Sequence, residues 1–309
     1  MNGDCSPIPA QVDAGCVQED FININFEKSF RKLENFLSQS DKRMTEEVEW
    51  LRENKIDLIL SDASSLPLKA GHLLGIPSLL ICNFIWHDIY SHFPGAEKRQ
   101  GLLDTLKEEY ALASLQVLPQ CHVVNDVIKN QKEVGFIARK GKDVKNRLQQ
   151  FLEIPFENKT VVFIYLGDIG AKSVLWENLS TLKDVIFITR DPLPKTVGNL
   201  FVLDERFLYQ DLIASSDIVC TKAGYSTLAT AFAHGKPVLS CSRESFHEFE
   251  AMRDYMTKKQ VGWIMDSQKF FSCDWAEGIQ KALTLSVEGK VPLKGEDEII
   301  KIIDRFLQT

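Results

Sequence analysis

The stretch that most limits what this chain can become is Cys220-Thr221-Lys222-Ala223-Gly224-Tyr225-Ser226-Thr227, followed by a helix-like run to His234 and then Gly235-Lys236-Pro237-Val238-Leu239. The apolar run Ile218-Val219-Cys220 predicts a strand. The small-residue turn after it opens a helix near Ser226 and Thr227, and a second strand starts at Pro237. A strand, a tight turn and a helix N-terminus together form an anion site, because the first N–H groups of a helix lack intrahelical partners. Gly224 lets a ligand approach the backbone, and the Ser226 and Thr227 hydroxyls can cap the helix or bond a phosphate. Such a turn suits a diphosphate, as in a sugar nucleotide. The same residues would also build an ordinary capped βαβ turn with no ligand.

Composition narrows the class. The 309 residues suffice for one large or two medium α/β domains, and a hydrophobic share of 44% supplies their cores. A net charge of −7 with no basic run argues against nucleic acid or an anionic membrane as partner. No apolar stretch approaches the ~20 residues of a membrane span, and Met1-Asn2-Gly3-Asp4 does not open a signal peptide. Seven cysteines without a CxxC pair read as free thiols in a reducing compartment, so a cytoplasmic location is expected.

Along the chain, residues 26–54 keep helical spacing through Phe26, Phe30, Leu33, Leu37, Val48 and Leu51, with a break near Ser40. Residues 56–62 read as a strand, 67–74 as a helix and 78–83 as a strand. That βαβ unit requires parallel strands. Phe84-Ile85-Trp86-His87-Asp88 reads as a loop, 97–114 as a helix, and 115–118 and 121–124 as extended pieces. Residues 134–137 lead into a basic stretch, Arg139 to Arg147. A boundary near Ile154-Pro155 divides the chain into residues 1–154 and 155–309. The second half alternates again: strands near 160–166, 185–189, 200–203, 218–220, 237–241 and 261–265, with helices near 173–181, 209–215, 246–256, 275–285 and 296–307. Two parallel-sheet halves imply a cleft between them, where ligands bind.

The second half resembles the C-terminal domain of GT-B glycosyltransferases, in particular the branch of the bacterial enzyme that adds N-acetylglucosamine to lipid-linked muramyl peptide. The residues that carry this are Tyr209-Gln210-Asp211-Leu212, Ser216-Asp217, Lys222 to Thr227, Gly235-Lys236-Pro237-Val238, and Arg243 with Phe246 and Glu248. The chain is also similar to the glycosyltransferase-like N-terminal region of plant L-arabinokinases. That similarity adds Val12-Asp13-Ala14-Gly15-Cys16-Val17-Gln18, Glu47-Val48-Glu49-Trp50-Leu51, Leu60-Ser61-Asp62 and Cys82-Asn83-Phe84-Ile85-Trp86. The fold it implies is α/β and GT-B-like, two Rossmann-like domains facing a cleft.

The resemblance implies a UDP-linked sugar as donor substrate, with no cofactor and no metal. Gly167 and Asp168 would approach the phosphates from one turn, and Lys222, Gly224, Tyr225, Ser226 and Thr227 from the other. Main-chain groups of Phe207 to Tyr209 would lie near the base, and Arg243, Phe246, His247 and Glu248 near the sugar or ribose. Core packing for Phe246 and a solvated pair for Arg243 and Glu248 are the plain alternatives. Where the family carries a ribose-binding Glu, this chain has Thr230, which loses a charge-assisted bond of about 1.5–3 kcal/mol. The family's opening strand and Gly-His-Gly-type loop are not found before Val12, so the first sheet is expected to be incomplete, with an exposed edge. Asp62, His87 and Asp88 are candidate bases; each also suits a helix cap or loop. A non-catalytic sugar-nucleotide-binding relative is the alternative to a hexosyltransferase. A sugar kinase is excluded by the lack of a Gly-Leu-Gly-Ser-Ser-type phosphate loop.

Overall fold

Ten short strands build two separate parallel sheets in a computed structural model that describes residues 7–167, 171–193 and 197–308. The first holds β1 (Ile59–Ser61), β2 (Ser78–Ile81), β3 (Leu115–Pro119) and β4 (Gln131–Val134), in spatial order β1-β2-β3-β4. All its pairs are parallel, as the βαβ pattern requires. Strand β1 pairs only with β2 among the described strands, and Leu60 on it is 51% exposed, the expected open edge.

The second sheet contains β5 (Thr160–Tyr165), β6 (Val185–Thr189), β7 (Leu200–Val202), β8 (Ile218–Thr221), β9 (Val238–Cys241) and β10 (Gly262–Met265). Their order is β10-β9-β8-β5-β6-β7, all parallel. The chain leaves β5 toward β6 and β7, then returns to lay β8 on the other flank of β5. That reversal opens a crevice beyond the C-terminal ends of β5 and β8, where open α/β sheets take ligands. Gly167 follows β5 and Lys222 follows β8, so the topology brings the two predicted turns together.

Helices α1 (Phe26–Ser38) and α2 (Ser40–Glu53) divide at Gln39, close to the expected break. Asn25 caps α1 by accepting from the Lys28 amide, and Phe30, Leu33 and Phe36 turn inward. Helix α3 (Leu66–Leu74) ends at Gly75, whose φ of +69° suits the left-handed cap that glycine takes freely. Several expectations are corrected. Residues 84–88 are not all loop: Trp86–Ser91 is a helix, α4, because Ile85 and Ile89, and Trp86 and Tyr90, share faces at a spacing of four. Helix α5 is shorter than expected, Gln100–Tyr110, with a 3₁₀ turn at Ala96–Lys98 before it. Residues 121–124 form no strand; Cys121 takes φ +67°, and the Val123 amide turns to the Asn83 carbonyl at 2.7 Å. The basic stretch contains the start of helix α6 (Lys145–Leu152), whose Leu148 and Leu152 pack with Val161, Phe163 and Phe207 of the second sheet's core. Residues 173–181 form 3₁₀ turns, since the Leu175 amide bonds the Phe271 carbonyl rather than a helix carbonyl.

In the second half, α7 (Tyr209–Ser215), α8 (Tyr225–Ala233), α9 (Glu248–Lys259), α10 (Ser267–Phe271) and α11 (Ala276–Leu283) cover the sheet. The last helix, α12 (Gly295–Leu307), goes back to the first sheet, where Ile299 and Ile302 bury against Leu79, Leu115, Val117 and Val134. Gly135 and Gly295 make that return possible: a Cβ on Gly295 would stand 2.4 Å from the Gly135 carbonyl oxygen. Glu298 accepts from the Gly135 amide at 2.8 Å and closes the joint.

The halves are tied in further places. Phe246, just before α9, buries in the first core with Phe84, their rings edge-on at 6.0 Å. Asn83 donates to Glu248 at 2.8 Å. A hairpin of residues 17–25, ahead of α1, sends Phe21 and Ile22 into the second core.

Candidate functional site

The turn after β8 has its strained residue one place earlier than its glycine. Ala223 takes φ +57° and is buried, while Gly224 has φ −72° and caps α8 in an extended conformation. Gly224 serves by being empty: a Cβ there would meet nothing within 4 Å. No side chain caps α8, so the amides of Tyr225, Ser226 and Thr227, its first three, have no intrahelical carbonyl to bond. Ser226 is exposed and Thr227 half-buried. Tyr225 faces inward, its hydroxyl accepting from the Ile137 amide at 3.0 Å and its ring stacked near Phe136. Thr230 lies one turn on, buried, its hydroxyl donating to the Ser226 carbonyl at 2.8 Å.

The opposing turn begins at Gly167, with φ +79°. Asp168 lies outside the described residues. The Gly167 amide and that of Leu166 both donate to Asp191 Oδ2, at 3.0 and 2.7 Å. Asp191 is buried just past β6, and its amide donates to Thr189 Oγ1 at 3.0 Å. The Lys222 ammonium bridges the turns: it lies 3.6 Å from where a Cβ on Gly167 would stand. Burial lowers the Lys222 pKa, Arg243 lowers it further, and Glu248 and Asp191 oppose both. The result is a half-buried amine between two turns at the switch point of the sheet, suited to a phosphate.

Arg243, beyond β9, is 3% exposed. Its Nη1 donates to the Lys222 carbonyl at 3.3 Å, its guanidinium stands 5.1 Å from the centre of the Phe246 ring, and its Nε has no hydrogen-bond partner. Burial lowers the Arg243 pKa against the pull of Glu248. The Glu248 carboxyl is pushed up by burial, with Asn83 and Arg243 working the other way. Lys222, Arg243, Phe246 and Glu248 therefore form one group, and Gly224, Ser226 and Thr227 adjoin it through the same turn.

Of the first-half candidates, His87 and Asp88 are in contact on one helix, and Asp62 belongs to a different element. Asp62 follows β1 and is exposed; partial burial of its carboxyl and then the nearby Asp13 raise its pKa. Asp13 accepts from Trp86 Nε1 at 3.2 Å. His87 is on α4, with Nδ1 3.1 Å from Asp88 Oδ1, and the buried Asp88 Oδ2 has no hydrogen-bond partner. Next to them the rings of His92 and His247 stack across the domain joint, centroids 3.4 Å apart and 11° from parallel.

Comparison with known structures decides the fold. The spinosyn rhamnosyltransferase SpnG superposes with a TM-score of 0.64 at 15% identity, over 90% of this chain and 79% of that one. MurG of Acinetobacter baumannii matches with 0.55 at 12% identity, over 96% and 84%, and the glycosyltransferase SnogD of Streptomyces nogalater with 0.51 at 16%, over 82% and 74%. The fold is that of the GT-B glycosyltransferases. The L-arabinokinase of Arabidopsis thaliana is 22% identical over 277 residues, 89% of this chain; the chain spans 27% of that relative's length. No family model matches.

Within the GT-B frame, three features were not anticipated. Asp191 gave no motif signal, because a single Asp after a strand is common. The hairpin of residues 17–25 has no periodicity to mark it. The histidine stack joins residues 155 positions apart. Among the described residues no cluster of three His, Cys, Asp or Glu side chains could hold a metal, and no helix is long and apolar enough to cross a membrane.

Proposed function

We propose that this chain binds a nucleoside-diphosphate sugar, UDP-linked, on its second domain and transfers the hexose to an acceptor hydroxyl held by the first. The observation that carries the reading is the open N-terminus of α8 at Gly224, flanked by the Lys222 ammonium at the sheet's switch point. The fold supports it, as does SpnG, whose solved complex holds thymidine diphosphate. In the reaction the acceptor oxygen bonds the anomeric carbon, the bond to the diphosphate breaks, and the acceptor's proton passes to a base. The amides of Tyr225, Ser226 and Thr227 and the Lys222 ammonium would stabilise the departing diphosphate. Asp62, an exposed residue whose partly buried carboxyl has a raised pKa, is the base this reading favours over His87.

One observation favours the non-catalytic alternative, a sugar-nucleotide-binding relative. Thr230 stands where the family places a carboxylate for the ribose, and its hydroxyl is already bonded within α8. A thermal-shift panel of UDP-, TDP-, GDP- and ADP-sugars at millimolar concentration tests binding; no shift with any of them ends both readings. Release of free nucleoside diphosphate in the presence of acceptor alcohols separates transferase from binder.

A further inference from the structure

The hairpin of residues 17–25 is rooted in the first domain. The Val17 amide donates to Ser29 Oγ at 2.9 Å, Gln18 and Ile24 form an antiparallel bridge, and the Tyr90 hydroxyl bonds the Gly15 carbonyl just before it. Its tip is in the second domain. Phe21 is fully buried between Phe270 and Phe271, ring centroids 5.6 and 5.1 Å away, and Ile22 enters the same core.

Two properties make this contact separable. The hairpin satisfies its own polar groups: Asp20 accepts from the Ile22 and Asn23 amides at 2.7 Å, Glu19 accepts from Asn25 Nδ2 at 2.7 Å, and the Glu19 amide bonds the Asn23 carbonyl at 2.9 Å. Among the described residues no hydrogen bond links residues 17–25 to the second domain. The tip is held there by apolar burial, helped only by the Arg243 charge acting on Asp20, so it can leave without stranding a buried hydrogen-bond donor or acceptor.

The tip also shares its core with Leu166, Cys220 and Cys241, at the strand ends that lead into Gly167, Lys222 and Arg243. Asp20 and Cys16 are near enough to Arg243 for its charge to act on both, and Cys16 is also within reach of Lys222. Arg243 itself is almost wholly buried, with an unpartnered Nε.

We propose that the hairpin is a clasp and Phe21 its latch: with Phe21 seated, the way to the Lys222–Arg243 end of the cleft is narrowed, and the hairpin lifts to admit the diphosphate-sugar donor. The identity of the guarded ligand rests on the sugar-nucleotide reading above; the latch itself does not.

The test uses the full chain with Cys5→Ser, in which Cys16 is half-buried and the other described cysteines are buried. N-ethylmaleimide labelling of Cys16, followed by mass spectrometry, is compared among the parent, Phe21→Leu and Phe21→Ala, each first shown to be folded by circular dichroism. Labelling is expected to accelerate about tenfold or more in Phe21→Ala, with Phe21→Leu close to the parent. UDP titration of the same proteins is expected to show tighter binding to Phe21→Ala by a similar factor, because the closed population no longer competes. Unchanged labelling in a folded Phe21→Ala protein overturns the clasp. Accelerated labelling with unchanged or weaker UDP affinity overturns its guarding of the donor site. Accelerated labelling with no UDP binding to any of the proteins overturns the sugar-nucleotide reading and leaves the latch standing.

Discussion

The side-chain amide of Asn83, at the end of β2, donates to Glu248 Oε1 at the start of α9 across 2.8 Å, and both residues are buried. This bond crosses from the first sheet to the second domain, and Glu248 also faces Arg243 and Lys222. One carboxyl thus couples the domain joint to the candidate donor site. Glu248→Ala would leave Asn83 without its acceptor and Arg243 without its counter-charge. The expected loss is about 1–3 kcal/mol for the stranded amide and more for the charge, read as a lower urea midpoint. An unchanged midpoint would mean the joint does not depend on this pair.

The same residue sets a pH dependence. Burial raises the Glu248 pKa, so the folded protein holds this proton more tightly than the unfolded chain does. Below the unfolded value near 4.5 this contribution is level. Stability from this group then falls as pH rises from there through the folded pKa. Glu248→Gln carries a permanently neutral side chain and keeps an acceptor for Asn83. The difference in unfolding free energy between Gln variant and parent is therefore expected to grow in the variant's favour as pH rises from 4.5 toward 7. Parallel profiles would show that Arg243 and Lys222 fully compensate the ionised form.

Gly224→Asp separates binding from folding. Its φ of −72° is open to any residue, and a Cβ there meets nothing within 4 Å. Stability should stay within about 0.5 kcal/mol of the parent, as for a surface change. UDP affinity should fall by about tenfold or more, since the new carboxylate would stand against the phosphates of the proposed donor. Calorimetric titration checks both halves; a folded variant with parental affinity would place the ligand elsewhere.

Much of this molecule was legible because its strands are short apolar runs closed by glycine or polar tips, and a parallel sheet needs little else. Ile218 to Cys220 and Val185 to Thr189 announce themselves that way. The α4 helix was not, because Trp86-His87-Asp88 looks like a polar aromatic loop until Ile85, Ile89 and Tyr90 are seen to be buried together. The glycine turn was legible in place but not in detail: Ala223, rather than Gly224, carries the left-handed backbone. Asp191 and the Phe21 tip depend on contacts between residues far apart in the chain, which no local pattern encodes.

Phe246→Ala tests whether the first core truly extends into the second domain. Phe246 packs edge-on against Phe84 and lies under the Arg243 guanidinium. Truncation of a buried Phe costs about 3–5 kcal/mol. Because the side chain spans the joint, the loss should show in both halves. Hydrogen exchange should rise in α4 and in α9 together, whereas a rise confined to α9 would mean the first core closes without it.

The stacked rings of His92 and His247 make a second pH prediction, of opposite sign. His92 Nδ1 lies 2.7 Å from the Asp88 carbonyl, which can only accept, so that nitrogen donates to it. Burial and the neighbouring His92 lower the His247 pKa, outweighing the Glu250 and Asp88 carboxylates that favour its charged form; His122, Asp254 and Lys258 line the same hollow. Folded His247 therefore holds its proton less tightly than in the unfolded chain. Its contribution is complete above the unfolded value near 6.5 and is lost as pH falls from there through the folded pKa. His247→Phe keeps a flat ring against His92 and removes the titration. The melting temperature of the parent should drop more steeply than that of the variant between pH 7.5 and 5.5. If the two fall in step, the carboxylates hold the pair together even when protonated, and the joint is indifferent to pH.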